Sequence, residues 1–210
     1  MCARAPALAA LLSGLCLSFA LFAAPARASG FEDQVLAELN KARAHPQAYA
    51  RELRRAEIGH AGYGYNDDYG RGDTLAQEDP DAVDDAIEFL MRQPPLPPLS
   101  PDHRLAAAAR IHVRRQGPTG GVGHGAPGAL GQRLNSEGLW AGLAAESISY
   151  GQRRPRDVVR QLVIDSGVPG RGHRKDLFDH AFQSAGVACG PHAQWGSMCV
   201  IDFAGAIVRR

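Results

Sequence analysis

Four side chains in this sequence could do chemistry together, two imidazoles and two carboxylates. Asp165 and His173 stand close together in QLVIDSGVPGRGHRKDLFDH (Gln161 to His180), where an apolar helical end gives way to a Gly/Pro-rich turn. His124 sits in the glycine-rich GGVGHGAPG, and Glu146 in AAESISYG. Two neutral imidazoles with carboxylates beside them suit a divalent cation such as Zn2+, or a proton-transfer site. Taken singly, each has a plainer role. His124 reads as an exposed or backbone-bonded histidine, His173 as a capping histidine before RKDLF, and Glu146 as a partly buried acid that needs a salt bridge or backbone amides for a partner. Such a Glu146 could instead orient a histidine from behind. A nucleophilic reading through Ser166 near His173 has no nucleophile-elbow pattern around it.

Whether these residues meet depends on the elements that carry them. The chain opens with Arg4, an apolar run from Ala7 to Ala24 and then Pro25-Ala26-Arg27-Ala28, the pattern of a secretory signal peptide with cleavage after residue 28. A membrane anchor is the alternative reading of that run. A lipoprotein reading through Cys16 fits less well, because Leu15 is bulky where a small residue is needed. Removal of residues 1–28 takes Arg4 and Arg27, leaving 23 − 2 = 21 basic against 22 acidic residues, so no electrostatic case for nucleic acid exists. Nothing after Ala28 is apolar enough to span a membrane. The expectation is a soluble monomer or small oligomer, secreted or periplasmic, with residues 29–210 as one domain. Cys189 and Cys199 then remain, and flanking GPHAQWGSM between two strand-like runs they predict a hairpin-stapling disulfide; a pair of metal thiolates is the competing reading.

Ser29 followed by Glu32 reads as a capping box, opening a helix with Phe31, Val35, Leu36, Leu39 and Ala42 on one face. Pro46 interrupts it, and 47–55 resumes as a second helix with Tyr49 and Leu53 inward. From Gly59 to Asp79 the sequence shows no period and reads as a long loop; Asn66, Asp67, Asp68 and Asp73 miss the spacing of a calcium loop. Asp79-Pro80 starts a helix with Val83, Ala86, Ile87, Leu90 and Met91 as its stripe. PPLPPLSPD is a stiff extended connector. Ser100-Pro101 starts the next helix, which carries Leu105, Ala106, Ala109, Val113 and a boundary histidine, His112, and stops at Gln116-Gly117-Pro118. Two more helices are expected over 130–137 and 155–164, and antiparallel strands over 185–189 and 197–208. Helices first and strands last predict an α+β domain.

The order of these signals resembles the CAP superfamily, the cysteine-rich secretory, antigen 5 and pathogenesis-related 1 proteins, in its bacterial secreted branch. The landmarks are LNKARAHPQAYA (39–50), LPPLSPDHRLAAAARIHV (96–113), His124, AAESISYG (144–151), the stretch 162–190 and MCVIDFA (198–204). The resemblance implies a three-layer α-β-α sandwich whose cleft holds His124 and His173, able to bind a divalent metal such as Zn2+, with Glu146 and Asp165 beside them. AES stands where the family commonly has Gly-Glu-Asn, and Asp165 where many members have Glu. The ligand classes implied are lipids or sterols and cell-envelope components, with no catalysis established. A metal-assisted hydrolase or peptidase with Glu146 as base, and a purely structural envelope protein, are the alternative functions.

Overall fold

The structure, a computed structural model, describes Met1 and residues 30–62 and 78–208. The signal-peptide reading of residues 1–28 and the calcium reading of the loop acids concern residues outside those described. Helix α1 (Phe31–Ala44) buries Val35, Leu39 and Ala42, as its stripe predicts. Its cap is Gly30 rather than Ser29: the Gly30 N–H donates to Asp33 Oδ2 at 3.2 Å, so the closing acid is Asp33 and not Glu32. Pro46 opens α2 (Pro46–Gly62), with Tyr49 and Leu53 buried. This helix runs to Gly62, four residues into the expected loop, because a helix already packed along its first turns propagates at little cost.

Helix α3 (Pro80–Arg92) is capped by Asp79, whose Oδ1 accepts from the Asp81 N–H at 3.1 Å. Its stripe packs inward as expected except for Met91, which is exposed one position past the buried face. The proline connector leads not into a helix but into a short strand, β1 (Ser100–Pro101). Ser100 N–H donates to Gln183 O at 2.9 Å and Asp102 N–H to Ala185 O at 3.0 Å, while the Asp102 carboxylate caps the Arg104 and Leu105 N–H groups at 2.8 and 3.1 Å. Asp102 is therefore the cap, α4 begins at His103 (His103–Gln116), and Pro101 sits where an edge strand tolerates a missing donor. Next come α5 (Ala129–Ser136), β2 (Trp140–Ala141), β3 (Ala144–Tyr150), α6 (Pro155–Ile164) and α7 (Gly172–Leu177). The last elements are β4 (Ser184–Gly190), β5 (Met198–Ala204) and β6 (Ile207–Val208).

The main sheet has the order β1-β4-β5-β3, with β5 antiparallel to both neighbours and β1 parallel to β4. The strand expected over 197–208 is broken: after Ala204 the chain turns at Gly205, whose N–H donates to Leu143 O at 3.0 Å, and β6 pairs with β2 instead. Alternation along β5 sends Cys199, Ile201 and Phe203 into a large core under α1, α2, α3 and α6, and Met198, Val200 and Ala204 into two smaller clusters under α4 and α5. The result is the α+β, three-layer α-β-α sandwich. Cys189 and Cys199, directly opposite one another with Cα atoms 4.1 Å apart, form the hairpin disulfide, which removes the thiolate reading.

Candidate functional site

Strand β3 lies at the edge of the main sheet, paired only with β5 among its strands, and the candidate site is built around that edge. His124 comes from the loop between α4 and α5. Gly123 and Gly125, on either side of it, have φ of 90° and 81°, a backbone region that disfavours other residues. The loop is pinned at Gly123, whose carbonyl accepts from Gln116 Nε2 at 2.7 Å and meets His112 Nε2 at 3.1 Å, and whose N–H donates to Tyr150 Oη at 2.9 Å. His112 is thus the satisfied boundary histidine that its helix position predicts. Burial pushes its imidazole below the usual range. So held, His124 places Nδ1 3.0 Å from Glu146 Oε1. The other Glu146 oxygen is bonded to the Arg133 guanidinium of α5, and both partners of that ion pair are buried.

His173 belongs to the first turn of α7. Asp165, at the end of α6, takes up a left-handed conformation (φ 56°, ψ 41°) that turns its carboxylate over the start of α7. There Oδ2 accepts from the His173 and Arg174 N–H groups at 2.9 and 3.3 Å, and Oδ1 lies 2.7 Å from His173 Nδ1. Arg174 locks the turn from the other side, donating to Val163 O at 2.5 Å, Ile164 O at 2.7 Å and Asp85 Oδ2 at 2.9 Å. The rings of His124 and His173 come together with centroids 6.1 Å apart and planes tilted by 48°.

All four residues singled out in the sequence therefore assemble, with a division of labour. Each imidazole has its Nδ1 tied to a buried carboxylate, which leaves Nε2 as its remaining nitrogen; that is the arrangement in which an outer carboxylate fixes the tautomer and orientation of a ligating histidine. Among the described residues no three His, Cys, Asp or Glu side chains form a group able to hold a metal ion. The nitrogens left over at this point are two, His124 Nε2 and His173 Nε2. The Glu146 hydrogen bond raises His124 above its ordinary value of 6.5 against the opposing effect of burial. Burial raises Glu146, but the His124 hydrogen bond and the charges of Arg133, His112 and His124 outweigh it and hold the carboxyl below its ordinary value of 4.5.

Glu146 fits poorly as a general base, since its side chain is 2 % exposed and both its oxygens are engaged. The Ser166 hydroxyl accepts from the Asp79 N–H at 3.2 Å and bonds to Glu78, so it has no arrangement of a nucleophile with His173. Sequence reasoning passed over three participants: Arg133, Asp202 opposite Glu146, and Asp176. Asp176, a half-buried acid whose carboxyl is raised by burial, interacts with both histidines and lies 3.4 Å from Ser147 Oγ. A charge inside an otherwise apolar strand, as Asp202 is in MCVIDFA, was the available signal. Two clefts of about 430 and 460 Å3 run along β4, one lined by Phe31 and the disulfide, the other by Asp102 and Arg110, and neither includes the histidines. The His124 side chain is instead 53 % exposed and that of His173 20 %, at an open surface.

The model of the family described as "CAP: Cysteine-rich secretory protein family" matches residues 36–203 of this chain. Among solved structures, an extracellular protein containing an SCP domain from Bacillus anthracis is similar at 24% identity and a TM-score of 0.45, over 53% of this chain and 35% of that one. The chain thus spans about a third of that protein's length. An outer surface protein from Borrelia burgdorferi is similar at 18% identity and a TM-score of 0.43, over 52% of this chain and 79% of that one. A cysteine-rich secretory protein from Staphylococcus aureus is similar at 16% identity and a TM-score of 0.42, over 63% of this chain and 41% of that one. No curated protein matches the chain.

Proposed function

We propose a function from one premise, that this chain belongs to the CAP family of cysteine-rich secretory proteins: it is an exported binding protein whose His124–His173 pair takes up a divalent metal and presents it to a ligand from the cell envelope. The observation that carries the reading is the pairing of two facing imidazoles, each with Nδ1 on a buried carboxylate and Nε2 left over. Glu146 and Asp165 hold the rings, and the metal, when bound, supplies an electrophilic centre with open positions for an oxygen donor. No helix among the described residues is long and apolar enough to cross a membrane. The engagement of both Glu146 oxygens supports binding over hydrolysis with Glu146 as base.

Calorimetric titration of the protein with zinc tests the reading. His124→Ala and His173→Ala each remove most of the affinity, because a single imidazole does not hold the ion. Asp165→Asn lowers it by about 10- to 100-fold, the scale for an outer residue that orients a ligand. Binding requires neutral imidazole, and His124 is held above 6.5, so affinity falls as pH drops, beginning above that value. Zinc binding of wild-type strength in both folded histidine variants overturns the reading.

A further inference from the structure

Strands β3 and β5 set Glu146 and Asp202 directly opposite one another, so the two side chains leave the sheet on the same face, the one under α4. That face is dry. Ile148, Val200 and Met198 pack on one side of the pair, and Leu105, Ala108 and Ala204 on the other. On the far side of Asp202 its partner on β4 is Gly186, which has no side chain because the α4 backbone comes down there: a Cβ would lie 2.0 Å from the Ala106 nitrogen. Asp202 is 0% exposed, and neither of its oxygens meets a donor.

Among the described residues the cations that reach this face, Arg133 and His124, pair with Glu146, and none pairs with Asp202. Arg133 from α5 is bonded to Glu146 and neutralises it. His112 from α4 is kept toward its neutral form by burial, and His124 reaches Glu146 from the loop. A second carboxylate charge would be buried without a counter-ion, next to a like charge, and two ionised carboxylates have only acceptors to offer each other. One proton between them converts the clash into a hydrogen bond. We propose that Asp202 is an un-ionised carboxylic acid at neutral pH that donates its hydrogen to Glu146, and so acts as a positioning residue for the Glu146–His124 pair. The electrostatics point the same way: burial, and then the neighbouring Glu146 charge, hold the Asp202 carboxyl well above the ordinary carboxylate range. The proposal deepens the reading of His124 as a metal ligand without depending on it, since the acid pair stands whether or not a metal binds.

Nuclear magnetic resonance on metal-free protein labelled with carbon-13 in its aspartate carboxyls tests this, with Asp202→Asn assigning the Asp202 signal and Asp176→Asn that of Asp176, the other aspartate whose carboxyl burial raises. The expected result is an Asp202 carboxyl that stays un-ionised through neutral pH while the surface aspartates ionise in the usual acidic range. The imidazole of His124, titrated in the same samples, keeps its pKa in Asp202→Asn, because an amide still donates to Glu146 and no charge is lost. Asp202→Ala, which removes the donor, shifts the His124 titration, and asparagine rescues it. An Asp202 carboxyl in wild-type protein that ionises with the surface aspartates overturns the proposal. So does a fall of the His124 pKa by about one unit or more in Asp202→Asn, the mark of a lost negative charge. Should Asp202→Asn fail to fold, the wild-type carboxyl titration decides alone, with Asp176→Asn identifying the signal of the other aspartate that burial raises. A failure of zinc binding leaves this outcome untouched, so the two readings fail separately.

Discussion

Replacing Arg133 by methionine is the sharpest probe of how the site is held. The guanidinium is buried at 3% exposure against a Glu146 side chain at 2%, and the methionine side chain fills similar space without charge. Removing one partner of a buried ion pair costs about 3–5 kcal/mol, because the other is left charged and unpaired. In a domain of this size about 1 kcal/mol corresponds to about 2–4 °C in melting temperature, so Arg133→Met should melt about 6–20 °C lower at neutral pH. The pH dependence has a definite sign. Glu146 is held below 4.5 in the folded protein, so its contribution is present above the unfolded value and is lost as pH falls through the lower folded value. Arg133 is one of the charges that lower it, so the gap between wild type and variant should shrink as the solution is acidified below about 4.5. Replacing Glu146 by leucine in the same chain removes the orphaned charge and should restore most of the stability. Thermal and urea unfolding followed by circular dichroism measure all three proteins. A single-variant loss under about 1 kcal/mol at neutral pH, or a gap that widens in acid, refutes the argument.

Three further outcomes follow from the frame around the site. Reducing the Cys189–Cys199 disulfide, which closes a loop with a sequence separation of 10, should cost about 2–3 kcal/mol in denaturant unfolding, and non-reducing mass spectrometry of protein prepared under oxidising conditions should find no free thiol. Gly186→Ala should destabilise by about 1–3 kcal/mol or more, because the added carbon meets α4 backbone rather than a yielding side chain; unfolding at the wild-type midpoint would show that α4 can retreat from the sheet. Asp102→Ala should cost about 1 kcal/mol by uncapping α4, measured the same way, and a neutral result would mean that Asp102 caps nothing in solution.

Elements with both a start signal and a long stripe were legible in the sequence. α3 has Asp79-Pro80 before Val83, Ala86, Ile87 and Leu90, and α6 begins at Pro155 and ends at Ile164 as its pattern predicts. Two competing signals misled at Ser100-Pro101. Serine before proline reads as a cap, but Asp102 is also a cap, and the tie is broken by the Gln183 and Ala185 carbonyls, which lie more than eighty residues away. β3 gave no signal because its buried positions are not apolar: Glu146, Ser147 and Ser149 are all buried, so period-2 alternation is absent from the residue types although present in the backbone. A strand of this kind is recognised only by its partner, β5.

The same asymmetry separates the two halves of the site. Asp165 and His173 are eight residues apart, and one left-handed turn brings the carboxylate onto both the ring and the helix start, so the unit is written in a single local stretch. His124 and Glu146 are joined only after a glycine-rich loop has been pinned by His112, Gln116 and Tyr150 and after β3 has taken its register on β5. Nothing near Glu146 in the sequence announces Arg133, which reads there as an ordinary solvated helix residue, or Asp202, which reads as an interruption of an apolar strand. Yet these two decide what Glu146 can do. With Arg133 on one oxygen and His124 on the other, Glu146 orients the ring and is not free to take a proton from a substrate. The residue types at this site were compatible with both catalysis and binding, and it is the long-range partners of Glu146 that support the proposal of binding.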